Sequence, residues 1–189
     1  MSKESWVGLD FSESERSFFK IIYSDVIKCP QCGEYSLNVV AHLVDTKYFG
    51  SVIVESGKCL SCGFIYRDAY AAEYGEPKKI EVKVTREFGD YLVIKSSTAT
   101  VIIPELGVEI SPGPAAQGYI TTARGILENV AEVLSAMCRE GGEDCLKKLK
   151  EVDRALRGEL DYTLVIEDPL GKSVVCKIPQ LDSGGNVKL

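Results

Sequence analysis

Apolar and polar positions alternate in short runs through most of this chain and switch to helical spacing only once. The runs Leu37-Asn38-Val39-Val40-Ala41-His42-Leu43-Val44 and Gly50-Ser51-Val52-Ile53-Val54-Glu55 are β-prone and lie either side of a short polar stretch, the pattern of a hairpin. Ile80, Val82 and Val84 alternate with Glu81, Lys83 and Thr85, which predicts a half-buried strand. Further strands are predicted at Tyr91–Lys95, Thr100–Ile103 and Val108–Ile110, with Gly89-Asp90 and Pro104 as punctuation and Ser111-Pro112-Gly113-Pro114 as the end of the β stretch. Near the start, Phe18-Phe19-Lys20-Ile21-Ile22-Tyr23 predicts a lead-in strand or short helix that packs on a neighbour.

The helical spacing follows. Ile126, Leu127, Val130, Val133, Leu134, Met137 and Cys138 form one apolar face, with Thr121 or Thr122 to cap its start and Gly141-Gly142 to end it. A second helix carries Leu146, Leu149, Val152 and Leu156, with Glu143 or Asp144 near its start and Gly158 as its stop. So short a connection makes the two helices antiparallel neighbours. Strands return at residues 162–166 and 173–178 around a turn at Asp168-Pro169-Leu170-Gly171, and the polar tail from Gln180 is expected to fray. The order β, αα, β predicts an α+β chain in which a helical hairpin is inserted into a β domain whose earlier and later strands pair. The expected divisions are a lead-in at 1–25, a small module at 26–72, a β domain at 73–180 with the hairpin at about 120–158, and a flexible tail at 181–189.

Chemistry is concentrated in the small module. Cys29-Pro30-Gln31-Cys32-Gly33 and Cys59-Leu60-Ser61-Cys62-Gly63 are paired thiols on tight turns, and 26 residues separate Cys32 from Cys59. Thiolates two residues apart can face one ion, and two such turns complete a tetrahedral shell of sulfur. Cys29, Cys32, Cys59 and Cys62 are therefore the candidate ligands of one structural Zn2+, a closed shell with no position for water or substrate. A module of this size buries too little apolar surface to stand without such a crosslink.

Composition narrows the function. The 45% hydrophobic and 26% charged content is that of a globular protein, and a net charge of −6 argues against a general nucleic-acid coat. Residues 28–67 hold four basic side chains (Lys28, Lys47, Lys58, Arg67) and three acidic ones (Glu34, Asp45, Glu55), so zinc with four thiolates leaves that region near −1. Such a balance is a poor grip for phosphates. No basic-then-apolar leader follows Met1, and no stretch approaches the ~18 apolar residues of a membrane span. The expectation is a cytoplasmic protein with no membrane partner, where reducing conditions favour metal over disulfide for the paired cysteines.

Other residues are weighed against plain structural roles. His42, the sole histidine, reads as a strand residue rather than a ligand. Cys138 and Cys145, flanking the helical turn, are either two small apolar residues or a disulfide clamping it. Asp168-Pro169-Leu170-Gly171-Lys172-Ser173 lacks the glycine spacing of a phosphate loop and reads as a turn. Gly118-Tyr119-Ile120-Thr121-Thr122 reads as helix capping rather than an anion site. No catalytic arrangement of Ser-His-Asp, Cys-His or paired carboxylates stands out, so the chain is not expected to be an enzyme and no small-molecule substrate is expected.

Taken in order, the two knuckles, Lys47-Tyr48-Phe49-Gly50-Ser51-Val52-Ile53-Val54, Val101-Ile102-Ile103-Pro104-Glu105-Leu106, the run from Gly118 to Leu127, and the run from Tyr162 to Ser173 resemble the ZPR zinc-finger domain family over roughly residues 26–178. The resemblance implies an initiation-factor-type zinc ribbon joined to a double-stranded β-helix-like domain with a helical hairpin inserted in it. Eukaryotic members bind translation elongation factor 1-alpha and assist its folding, and a chain with one module is similar to archaeal members. The resemblance thus implies a non-catalytic zinc protein that binds another protein, expected to be elongation factor 1-alpha, as a folding helper. The alternative is a nucleic-acid-binding ribbon in transcription or translation, with Tyr48 and Phe49 stacking on bases, which the charge count opposes.

Overall fold

A computed structural model of the chain describes residues 19–86, 91–139, 142–178, 180–181 and 187–188. Strands β1 (Phe19–Lys28), β2 (Tyr35–Thr46), β3 (Gly50–Cys59) and β4 (Ile65–Ala71) form one antiparallel sheet in chain order. The expected hairpin is β2–β3, registered from Leu37 opposite Cys59 to Thr46 opposite Gly50. Its turn closes on Thr46, whose hydroxyl donates to the Gly50 carbonyl and accepts from the Phe49 N–H. The lead-in is a strand rather than a helix, because Asp25 and Ile27 register opposite Val39 and Leu37 along β2. Phe18 and the residues before it lie outside the described residues. Strand β4 was not expected; its buried positions are Asp68, Ala69, Tyr70 and Ala71, which give no apolar alternation.

The β domain is built from β5 (Lys78–Val84), β6 (Tyr91–Lys95), β7 (Thr100–Ile103), β8 (Val108–Ile110), β9 (Tyr119–Thr122), β10 (Tyr162–Asp168) and β11 (Val174–Lys177). They make a four-stranded sheet in the order β5-β10-β7-β8 and a three-stranded sheet in the order β11-β6-β9. The strands after the helices thus pair with those before them: β10 lies between β5 and β7, and β11 lies on β6. Val93, Val101, Ile103, Leu164 and Ile166 from both sheets share one core with Ile126, Leu127 and Val152 from the helices. The α+β class and the double-stranded β-helix-like arrangement agree with the sequence reading.

Helix α1 (Ala123–Met137) and helix α2 (Glu143–Leu156) form the hairpin. Thr122 caps α1 by accepting from the Gly125 N–H. The residues before it, read as a helix opening, are instead β9 on the edge of β6; Tyr119, Ile120, Thr121 and Thr122 are aromatic or β-branched and suit a strand. Helix α1 ends at Met137 with Cys138 as its cap, ahead of the expected Gly141-Gly142, of which Gly141 lies outside the described residues. Its apolar face is buried only over the first turns. Val133 is 58% exposed and Met137 65%, so the far end of that face is open to solvent. In the tail, Gln180–Leu181 pairs with Val187–Lys188 as a short ladder (β12 and β13), where fraying was expected. Each of these short strands pairs a polar residue with an apolar one, too little alternation to read from sequence.

Cys138 and Cys145 form a disulfide with Cα atoms 5.5 Å apart, which resolves the two readings of that pair. Closing so short a loop removes denatured-state entropy worth about 2.5 kcal/mol. A Cys138→Ser, Cys145→Ser double variant is expected to lose about that much in denaturant unfolding, and non-reducing mass analysis of the parent should show two hydrogens fewer than the reduced protein. Equal stability of parent and variant would remove the clamp.

Candidate metal centre

Both cysteine pairs sit where a strand ends and the next begins: Cys29 follows β1, and Cys59 is the last residue of β3. The two turns are built alike. The Gly33 N–H donates to the Cys29 carbonyl at 2.9 Å and the Gly63 N–H to the Cys59 carbonyl at 3.0 Å. The Cys29 N–H donates to the Glu34 carbonyl and the Cys59 N–H to the Phe64 carbonyl. Gly33 and Gly63 take φ of 79° and 76°, a left-handed backbone that closes each turn.

Folding brings all four sulfurs within 4.8 Å of one another, and the pairs Cys29–Cys62 and Cys32–Cys59 are 3.7 Å apart. Thiolates at ~2.3 Å from a common tetrahedral centre stand about 3.8 Å apart, so the cluster fits one metal ion. Cys29 and Cys59 are buried against Leu37, Val39, Phe64 and Tyr66, whereas Cys32 and Cys62 face solvent. The electrostatics agree. A hydrogen bond from Ser36 holds the Cys59 thiol down at about 6, against its own burial. At Cys62 the Phe64 backbone N–H favours the thiolate, but partial desolvation and the other three sulfurs outweigh it and push the thiol up to about 12. Four thiols this close cannot all ionise without a cation among them. His42 lies in the sheet between Ile21 and Val54 and is not in the cluster. Tyr48 is partly exposed beneath the Lys47 ammonium, 5.6 Å from its ring centre.

Two further polar clusters join the ribbon to the β domain, and the sequence reading missed both. Glu55, 7% exposed in the middle of the sheet, accepts from the hydroxyls of Tyr23 at 2.5 Å, Tyr70 at 2.7 Å and Tyr66 at 3.0 Å. Burial first, then the neighbouring carboxylates, hold these phenols far above their usual range, so they remain donors. Beside them Asp68 accepts from Ser97 Oγ at 3.0 Å and the Gly118 N–H at 2.8 Å, both from the β domain. A Cβ at Gly118 would lie 2.1 Å from that carboxylate, so the residue that looked like a helix-opening glycine is a contact point for β4. A charged residue at a core position of a β-prone run, as at Glu55, was the available signal.

The second cluster is the turn at residues 168–173. Asp168, 2% exposed, accepts from Ser96 Oγ, Thr98 Oγ1, Ser173 Oγ and the N–H groups of Leu170 and Ser173. Burial works against its charge, but these donors from Ser173, Ser96 and Thr98 win and hold the carboxyl down at about 2. The turn also clasps the end of β4 and the segment after it: the Lys172 carbonyl accepts from the Ala71 N–H and the Leu170 carbonyl from the Gly75 N–H. The Lys172 ammonium sits 4.0 Å from the Tyr70 ring centre and 4.9 Å from that of Tyr74. At Gly171 a Cβ would lie 2.0 Å from the Glu76 carbonyl oxygen, so no side chain fits there. What reads as a plain turn is a fastening between two parts of the chain.

Residues 90–189 match the family model described as the ZPR1 jelly-roll domain. An uncharacterized ZPR1-like protein of Methanocaldococcus jannaschii is 36% identical over 156 residues, spanning 79% of this chain and 79% of that one. A second uncharacterized ZPR1-like protein, from Pyrococcus horikoshii, is 33% identical over 158 residues, 78% of this chain and 70% of its own. The zinc finger chaperone zpr1 of Schizosaccharomyces pombe is 31% identical over 157 residues, which cover 77% of this chain but 34% of that longer protein.

Proposed function

The chain belongs to the ZPR1 family, and from that premise we propose that it is a non-catalytic zinc protein that binds another protein in the cytoplasm and assists its folding. The observation that carries the zinc assignment is the cluster of four sulfurs at tetrahedral spacing. Cys29, Cys32, Cys59 and Cys62 would hold the ion, which supplies a structural crosslink between the two knuckles. Four protein ligands fill a tetrahedral shell, so substrate has no position on the metal.

The folding role is supported by the Schizosaccharomyces pombe relative, a zinc finger chaperone. We take translation elongation factor 1-alpha as the partner, the client implied by the family resemblance. The chain's own part is to present a fixed surface. Asp68, Ser97 and Gly118 fasten β4 to the β domain, and the turn at 168–173 fastens the segment that follows. Ribbon and β domain therefore meet a partner without first paying to order their junction. No helix among the described residues is long and apolar enough to cross a membrane.

The test is binding of the zinc-loaded chain to purified elongation factor 1-alpha over a salt series. Retained binding between about 50 and 200 mM salt is expected, whereas a nucleic-acid binder with several phosphate contacts would lose orders of magnitude over that range. Tight, steeply salt-dependent capture of RNA with no binding of the factor would overturn the reading.

A further inference from the structure

The two knuckles correspond residue by residue, Cys29 to Cys59, Cys32 to Cys62 and Gly33 to Gly63, and close on the same backbone bonds. Beyond the backbone the likeness fails. Ser36 Oγ lies 3.1 Å from Cys59 Sγ. Ser61 Oγ donates to Ser36 Oγ at 2.8 Å, and the Leu60 N–H donates to the Ser36 carbonyl at 2.9 Å. On the other knuckle, the position matching Ser36 is Tyr66, whose hydroxyl turns away to Glu55 and Asp68. Gln31 stands where Ser61 would be, and Pro30, with no N–H, stands where Leu60 would be. Among the described residues no hydroxyl reaches the Cys29 sulfur; its side-chain contact is with Cys62.

From this asymmetry we propose that Ser61 and Ser36 form a hydroxyl relay that positions the Cys59 sulfur for the metal and braces the second knuckle against the first. The inference rests on the zinc reading above. The direction of the relay follows from valence. Ser61 supplies the proton between the two hydroxyls, which frees the Ser36 proton for the sulfur. A metal-bound thiolate can only accept, so Ser36 is the donor in the bound state. The relay is also an inter-knuckle tie: Ser36 stands on β2, which leaves the first turn, while Cys59 and Ser61 belong to the second. Its donated hydrogen bond withdraws charge from one corner of a shell of four thiolates. It also fixes the Cys59 side chain, already buried against Leu37 and Val39, in the ligating direction. Ser36 and Ser61 are thus positioning residues for the ion rather than ligands.

The experiment compares the full chain with its Ser36→Ala, Ser36→Thr and Ser61→Ala variants, using zinc competition against a chromophoric chelator and the absorption of the cobalt(II)-substituted proteins. Removal of an outer-shell hydrogen bond to a ligand weakens metal binding by about 10–100-fold. Ser36→Ala is expected in that range, Ser61→Ala at a smaller loss, and Ser36→Thr, which keeps the hydroxyl, close to the parent. The sulfur-to-cobalt charge-transfer band of Ser36→Ala should move to longer wavelength, because a thiolate without its donor gives up charge more easily. A merely structural role for Ser36 would not move that band. Unchanged affinity in Ser36→Ala, or lost affinity with an unmoved band, overturns the relay and leaves the zinc site standing. A parent chain that holds no zinc overturns the metal reading itself.

Discussion

Serine in place of Cys29 is expected to empty the metal centre and unfold β1 to β4 around it. The ribbon end near the knuckles has a small buried cluster of its own: Cys29, Leu37, Val39 and Cys59, with Phe64 and Tyr66 against it. Burial on that scale contributes only a few kcal/mol, about 1.5–3 for each full side chain, before the entropy of ordering the strands is set against it. Apparent binding of structural zinc by small fingers amounts to about 10–16 kcal/mol, as large as the whole stability of an ordinary domain at about 5–15 kcal/mol. Loss of one thiolate also leaves three that repel one another at close range. Elemental analysis should find less than one zinc per chain in the variant, and amide exchange across residues 19–71 should approach that of an unfolded segment. Chelation of the parent protein should do the same. Full protection of those amides in a metal-free variant would show that the ion is not what holds them.

Asp168→Ala should be the most damaging single change outside the metal centre. Its carboxylate is the acceptor for five donors from two segments of the chain, and the alanine would leave buried N–H and O–H groups without partners. An orphaned buried donor costs about 1–3 kcal/mol, and hydroxyls can turn to recover part of that, so a total near 4 kcal/mol is expected. In a chain of this length that corresponds to about 10 °C in Tm. The pH dependence has a definite sign. The carboxyl titrates near 3.8 when unfolded and near 2 when folded, so between those values the unfolded chain binds more protons. The Asp168 contribution is therefore complete above about pH 4 and is lost as the pH falls towards 2. Denaturation of parent and variant at pH 5 and at pH 2.5 isolates it, because zinc release in acid is common to both. A stability gap that stays constant between the two pH values would contradict this account.

What could be read from sequence was what depends on neighbours in the chain. The cysteine knuckles are local by construction: a turn of a few residues sets each pair of sulfurs, and β2–β3 then carries one pair to the other. Alternation at Ile80, Val82 and Val84 and helical spacing at Ile126, Leu127 and Val130 were also legible, because the same residues that set the period are the ones packed in or against the core. Long-range polar contacts were not. Asp168 meets Ser96 and Thr98 across about seventy residues of chain, and nothing in either segment names the other. Strand β4 was hidden because its buried positions run consecutively through Asp68, Ala69, Tyr70 and Ala71 without alternation, and the Tyr–Glu cluster was hidden because Tyr23 and Glu55 meet only through the sheet. Helical period showed that Val133 and Met137 share a face with Ile126, but period alone does not say how far a neighbour extends over that face.

A finger excised after residue 72 and grafted onto a foreign scaffold would take Asp68 along and leave Ser97 and Gly118 behind. Its carboxylate would then need either water or new donors, and a chimera that packs apolar surface there would be strained by a stranded charge. Portability of this finger is limited less by its cysteines than by one carboxylate on its last strand. A transplant has to import a hydroxyl and a bare backbone amide to receive it.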